Sequence, residues 1–134
     1  MLIQAGHDVP LRVGIQFKRD EMSVATLRGV RDSGFALSGQ RLFAWRANGA
    51  VGPLPLSAID RILIDTGGGD HLEIVVLPRR ALHPPVVLTR RVNELGTTLG
   101  FVARIATALG CEPTLESLGP VHRFTFPQPP QAIA

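Results

Sequence analysis

The period of the apolar residues changes once along this chain, and that change limits what it can fold into. Val92, Leu95, Leu99, Val102, Ala106 and Leu109 follow one another at spacings of three or four, and Phe101 and Ile105 widen the stripe. Such spacing places them on one face and predicts an amphipathic helix over Asn93 to Leu109. Asn93 suits the N-cap, Glu94 the first turn, and Gly110 the left-handed residue that ends a helix. No helical period of this kind precedes Val92. Leu11, Val13, Ile15 and Phe17 instead alternate with Arg12, Gly14, Gln16 and Lys18, the pattern of a strand with one wet face. The 14 glycines and 11 prolines, spread through 134 residues without a period, cut the chain into short pieces. The expected fold class is therefore mainly β with one C-terminal α-helix, α+β.

Turn chemistry divides the strands. Met22 to Val30 reads as a second strand, ended by Asp32, Ser33 and Gly34, and Phe35 to Ser38 and Arg41 to Arg46 flank Gly39. Asn48 and Gly49 tolerate the positive φ of a tight hairpin and join Arg41 to Arg46 with Val51 to Leu56. Pro53 and Pro55 remove two amide donors from that return strand, which must be short or at an edge. Ser57 to Asp60 forms a single turn. Arg61 to Asp65 and His71 to Leu77 enclose a glycine-rich hairpin, and Val86 to Thr89 is the strand that feeds the helix. Gly96 and Gly100 weaken that helix by about 1 kcal/mol each relative to Ala, so it needs tertiary support. Their spacing of four favours a helix lying tight on its own sheet over a helix dimer. After Cys111 the pattern loosens, with Val121 to Phe126 as a final strand and Pro127 to Ala134 as a proline-rich tail. One domain over residues 1–110 with an extension over residues 111–134 is the expected organisation.

Composition bears on partners. Hydrophobic residues are 45% and charged residues 19% of the chain, against roughly 25% charged in an average domain. This excludes disorder as the main state and leaves an apolar surplus that a partner can cover. The net charge of +3 is spread thinly: residues 1–50 carry +3, residues 51–91 +1 and residues 92–134 −1. With aromatic residues at 5% and no Tyr, the chain lacks the basic, stacking surface of a nucleic-acid binder. Cys111, the single cysteine, cannot form an internal disulfide and fits a reducing compartment. No basic, apolar leader opens the sequence, and Leu95 to Cys111 is too short and carries Arg104, so a cytoplasmic location is expected.

Motifs for chemistry are few. Ile62 to Gly69, ILIDTGGG, resembles the catalytic loop of retropepsin-type aspartic proteases. That resemblance implies Asp65 as one of two carboxylates that activate a water, the second from a partner chain, with Thr66 holding the dimer. Gly68 departs from the pattern, and the stretch before Gly96 leaves no room for a flap hairpin; a hairpin turn explains the glycines directly. The same glycines open onto a strand, not a helix, which excludes a phosphate loop. His7, His71, His83 and His122 share no ligand spacing with one another or with Cys111, so no metal and no other cofactor is expected. No G-x-S-x-G elbow occurs, and no small-molecule substrate is expected. Arg90 and Arg91 are expected near Asp65 and Asp70 at the glycine-rich turn and to be neutralised there. Arg79 and Arg80, in a stiff loop with Pro78, Pro84 and Pro85, are the better candidates for an anionic partner. Trp45, beside Phe43, is expected in the core, with an interface anchor as the alternative.

Ala36 to Trp45 (ALSGQRLFAW) is similar to the strand pair of prokaryotic pleckstrin-homology-like domains, and Gly52 to Ile64 (GPLPLSAIDRILI) to their step between sheets. The likeness runs from Ser33 to Gly110 and includes a last strand leading straight into one helix. It implies a bent antiparallel barrel of about seven strands, capped by the helix Asn93 to Leu109, with loops and edge strands free for binding. Lipid-binding members carry a basic loop between the first two strands, whereas Lys18 to Glu21 is neutral here. A non-enzymatic adaptor or assembly subunit is therefore expected, with a protein partner or a homo-oligomer. The expected partner-binding residues are Arg79, Arg80, Leu118, Phe124 and Phe126, the last three in the apolar extension. The alternatives are a dimeric aspartic protease using Asp65 and a module that binds anionic lipid through Arg79 and Arg80.

Overall fold

Alternation along each strand decides which faces meet. The computed structural model describes residues 23–127 apart from 48. Strands β1 (Ser23–Arg28), β2 (Gly34–Ser38), β3 (Arg41–Arg46) and β4 (Gly49–Pro55) form one antiparallel meander in that order. β5 (Ile59–Gly68), β6 (His71–Pro78) and β7 (Val86–Arg91) form a second meander, followed by α1 (Leu95–Leu109) and the hairpin β8 (Thr114–Leu118) with β9 (Val121–Thr125). That hairpin joins the second sheet, whose order is β7-β6-β5-β9-β8. Mainly β with one C-terminal helix, α+β, is thus the observed class.

The core lies between the sheets and α1. Phe35 and Leu37 of β2, Leu42 and Ala44 of β3, Ile62 and Ile64 of β5, and Leu72, Ile74 and Val76 of β6 point into it at period two. α1 contributes Phe101, Val102 and Ile105, and the rings of Phe35 and Phe101 lie 6.2 Å apart. Each large side chain here is worth about 1.5–3 kcal/mol of burial.

Arg90 pins the corner where β1, β7 and α1 meet. It is buried, and its guanidinium donates to the Arg28 carbonyl at 2.7 Å and to the Thr97 and Thr98 hydroxyls at 2.9 and 2.8 Å. It also pairs with Glu94 at 2.5 Å. Burial lowers the Arg90 pKa, and the adjacent Glu94 charge opposes that shift. Self-neutralisation of this arginine is therefore met by Glu94, and not by the carboxylates of the glycine-rich turn.

Several expectations need correction. The register pairs Arg46 with Gly49, so Gly49 begins β4 with φ 133° and does not lie within the turn. A turn of 3-10 helix over Val92–Glu94 leads into α1, and Glu94, not Asn93, occupies the N-cap position, with no side-chain cap. Gly110 ends the helix at φ 66°, as expected. Gly96 and Gly100 are exposed, and a Cβ on either would meet nothing within 4 Å, so the helix does not seat on its sheet through them. Gly110 is no domain boundary: β9 lies between β5 and β8, and Phe126 is 1% exposed within the core. The strand Leu11 to Phe17, Asn48, His7 and the tail beyond Pro127 lie outside the described residues.

Candidate functional site

Two of the residues expected to meet a partner are used internally. Arg79 donates to the Phe126 and Pro127 carbonyls at 3.0 and 2.7 Å and to the Ser57 carbonyl at 3.3 Å, and it approaches Asp60 at 3.4 Å. It ties the end of β9 to the start of β5. Phe126 is buried, so its expected role as a contact residue gives way to a core role. Arg80 is exposed at the surface. Phe124 is half-buried and Leu118 is 56% exposed, on the hairpin β8–β9.

Asp65, Thr66 and Gly67 build a local turn. The Asp65 carboxylate accepts the Gly67 amide at 2.8 Å. The Thr66 amide and hydroxyl both donate to the Pro120 carbonyl, at 3.0 and 3.1 Å, so that hydroxyl holds the tip of the neighbouring hairpin. Among the described residues, no three His, Cys, Asp or Glu side chains come together as metal ligands. His122 bonds the Ser117 hydroxyl at 3.1 Å.

Trp45 is 1% exposed, yet it projects from β3 on the face opposite Leu42 and Ala44 and lies outside the core cluster. Its ring lies on Gly34, where a Cβ would come within 2.3 Å of the indole, so only glycine fits there. Among the described residues, the indole N–H has no hydrogen-bond partner. Phe43, on the same face, stacks under the Arg41 guanidinium at 4.7 Å.

The sheet edges differ in how they are protected, and this difference locates the candidate site. Unpaired strand edges recruit other strands unless proline, charge or cover prevents it. β4 carries Pro53 and Pro55. β7 is covered by the end of β1: the Val30 amide donates to the Thr89 carbonyl at 2.9 Å, and Gly29 lies against Leu88 and Thr89. β8 has none of these devices. All five of its residues are exposed, its register with β9 is unbroken, and it contains no proline or basic residue. Its one charge, Glu116, is tied to Arg123 at 2.6 Å. Among the described residues, nothing pairs with its outer edge.

Beside β8 runs an apolar groove of about 630 Å³, lined chiefly by Leu99, Val102 and Ala106 of α1, by Cys111 and Pro113, and by Phe124 of β9. Phe124 pairs with Ile62 on one side and Leu115 on the other, so all three share the face of the sheet that looks toward the core and α1. Leu99 (40%) leaves apolar surface exposed in this groove, and Leu115 (57%) does so on β8 beside Phe124.

A second concavity of about 690 Å³ lies at the end of the molecule away from Arg79 and Arg80, lined by Arg31, Arg46 and His71 with Ser33 and Thr89. Arg31 holds a left-handed φ of 57°, unusual for a residue other than glycine. Sequence reading missed this cluster because its residues come from three separate turns and strands. It missed β8 although Gly119-Pro120 is a two-residue turn signal, with Gly119 at φ 61°.

No family model, curated protein or solved structure matches the chain. No described helix is long and apolar enough to cross a membrane.

Proposed function

We propose that this protein is a non-enzymatic binding module, an adaptor or assembly subunit, that engages an extended strand of a protein partner along β8. The carrying observation concerns the edges of the five-stranded sheet: β7 is covered by the end of β1, whereas β8 is neither broken by proline nor, among the described residues, covered. Strand addition takes its affinity from main-chain hydrogen bonds and its specificity from pockets for alternate side chains. The groove between α1 and Phe124 is such a pocket, and its lining calls for an apolar side chain. The module is of the pleckstrin-homology-like type, a reading supported by a four-stranded and then a three-stranded meander running into one helix. It acts in the cytoplasm, consistent with a free cysteine. The turn built by Asp65, Thr66 and Gly67 supports a structural use of that motif.

Native mass spectrometry of the protein isolated from its own cell, beside a Leu115→Lys variant, tests this. The expected result is a stoichiometric complex, with itself or with another chain, that Leu115→Lys dissolves. A clean monomer, or a complex indifferent to Leu115→Lys, overturns the proposal.

A second reading, binding of anionic lipid headgroups, is favoured by the basic concavity of Arg31, Arg46 and His71 and not by Arg79, whose donors are engaged. It requires salt-sensitive sedimentation with anionic liposomes that an Arg31→Glu/Arg46→Glu variant abolishes. Equal recovery with neutral and anionic liposomes removes it.

A further inference from the structure

We infer that the strand received by β8 belongs to a second copy of this chain, so that two five-stranded sheets join into one ten-stranded sheet across a two-fold axis. The inference rests on the reading of β8 as the binding edge and names its occupant.

The backbone sets the possible registers. Leu118 and Val121 flank a two-residue turn and therefore exchange hydrogen bonds, as do the pairs Glu116 with Arg123 and Thr114 with Thr125. The main-chain groups of Leu115 and Ser117 then point away from β9. Antiparallel pairing of two β8 strands must bring these outward groups together, which leaves three registers. Leu115 opposite Ser117 of the second copy sets Glu116 directly against its counterpart, a like-charge pair that disfavours the arrangement. Ser117 opposite itself sets Leu115 against Gly119 in the turn and leaves it without an apolar neighbour. Leu115 opposite itself sets Glu116 against Thr114 and extends one apolar row through Phe124, Leu115, Leu115 of the second copy and Phe124 of the second copy. This last register covers the most exposed apolar side chain of β8 and opposes no like charges.

Charge and symmetry favour a second copy over a foreign strand. Glu116 is already neutralised by Arg123 within its own chain, so the edge offers no unpaired charge for a complementary partner to read, and two copies meet without repulsion. The far edge of the same sheet, β7, is covered by the end of β1. With one open edge in this sheet among the described residues, pairing of β8 with β8 closes as a two-fold dimer and does not propagate through the sheet.

The test is sedimentation velocity of the purified full chain, with amide hydrogen exchange at high and low concentration. The expected result is a dimer whose Leu115 and Ser117 amides are protected only at high concentration. Ser117→Pro removes an outward N–H, and Leu115→Lys places two cations at the two-fold axis; each weakens the dimer by at least about tenfold. Leu115 is exposed, so its variant remains folded even if Ser117→Pro does not. A monomer at concentrations on the order of 100 μM overturns the inference, as does a dimer that Leu115→Lys leaves intact. If the isolated chain is monomeric while a complex with another chain in the cell is lost in Leu115→Lys, the second copy is excluded and the binding edge stands.

Discussion

Replacing Gly96 and Gly100 together by Ala separates two uses of α1. Both glycines are exposed on the helix, and a Cβ at either position meets no atom within 4 Å. The substitutions therefore introduce no clash, and their effect is the backbone entropy that glycine loses in a helix, about 0.8–1.0 kcal/mol at each site. The new methyl groups share no partner, so the increments add to about 2 kcal/mol. For a domain of this size, 1 kcal/mol corresponds to roughly 4 °C, and the double variant should melt about 8 °C higher. Thermal melting by circular dichroism, checked by a urea midpoint that rises with unchanged slope, measures this. A fall in melting temperature would refute the reasoning, because it would show another backbone packed against the glycines. Sedimentation of the same variant is the second arm: with the contact surface on β8, stabilisation leaves association unchanged. A variant that gains stability but loses its partner would make the glycine face the interface.

The remaining predictions concern what holds the sheet and its added hairpin. Arg90→Met should cost about 1–3 kcal/mol, since it takes the donor from the Arg28 carbonyl while the partly exposed Glu94 carboxylate returns to solvent. Arg90→Lys should recover little of this in a chemical-denaturation series, because an ammonium cannot fork between β1 and α1. Phe126→Ala should cost about 3–5 kcal/mol as a buried aromatic, and truncation after Gly110 should abolish the cooperative melt; a folded 1–110 fragment would contradict the placement of β9 within the sheet. Asp65→Asn keeps an oxygen for the Gly67 amide and should change stability by less than about 0.5 kcal/mol. Peptide cleavage by the wild-type protein that Asp65→Asn removes would overturn the structural reading of that turn.

What the sequence disclosed follows from where a face is buried on one side only. β6 alternates buried and more accessible residues, and α1 carries its stripe at helical spacing, so both are legible as patterns. β8 has no buried face: Thr114 to Leu118 are all exposed, and TLESL contains Leu and Glu, which also suit a helix. Without one-sided burial there is no period to detect, and the strand that carries the proposed interaction is the one that periodicity cannot find. Phe126 was misplaced for the opposite reason. It continues the apolar alternation of His122 and Phe124, but only the pairing of β9 with β5 shows that this end of the strand enters the core.

Protection of an edge is likewise a statement about register. Pro53 and Pro55 are visible in the chain, as are Arg90 and Gly29, but their meaning changes once the strand order is known. The prolines then shield β4, Gly29 admits the end of β1 against β7, and Arg90 fastens that closure through the Arg28 carbonyl. The low charge of the chain acquires a location by the same step: Glu116 and Arg123 cancel within one hairpin, next to Leu115 and the groove beside α1. A strand that is open, neutral and apolar on one side cannot repel its own kind, so its selectivity must come from register, and the register in which Leu115 meets itself is the one that β8 favours.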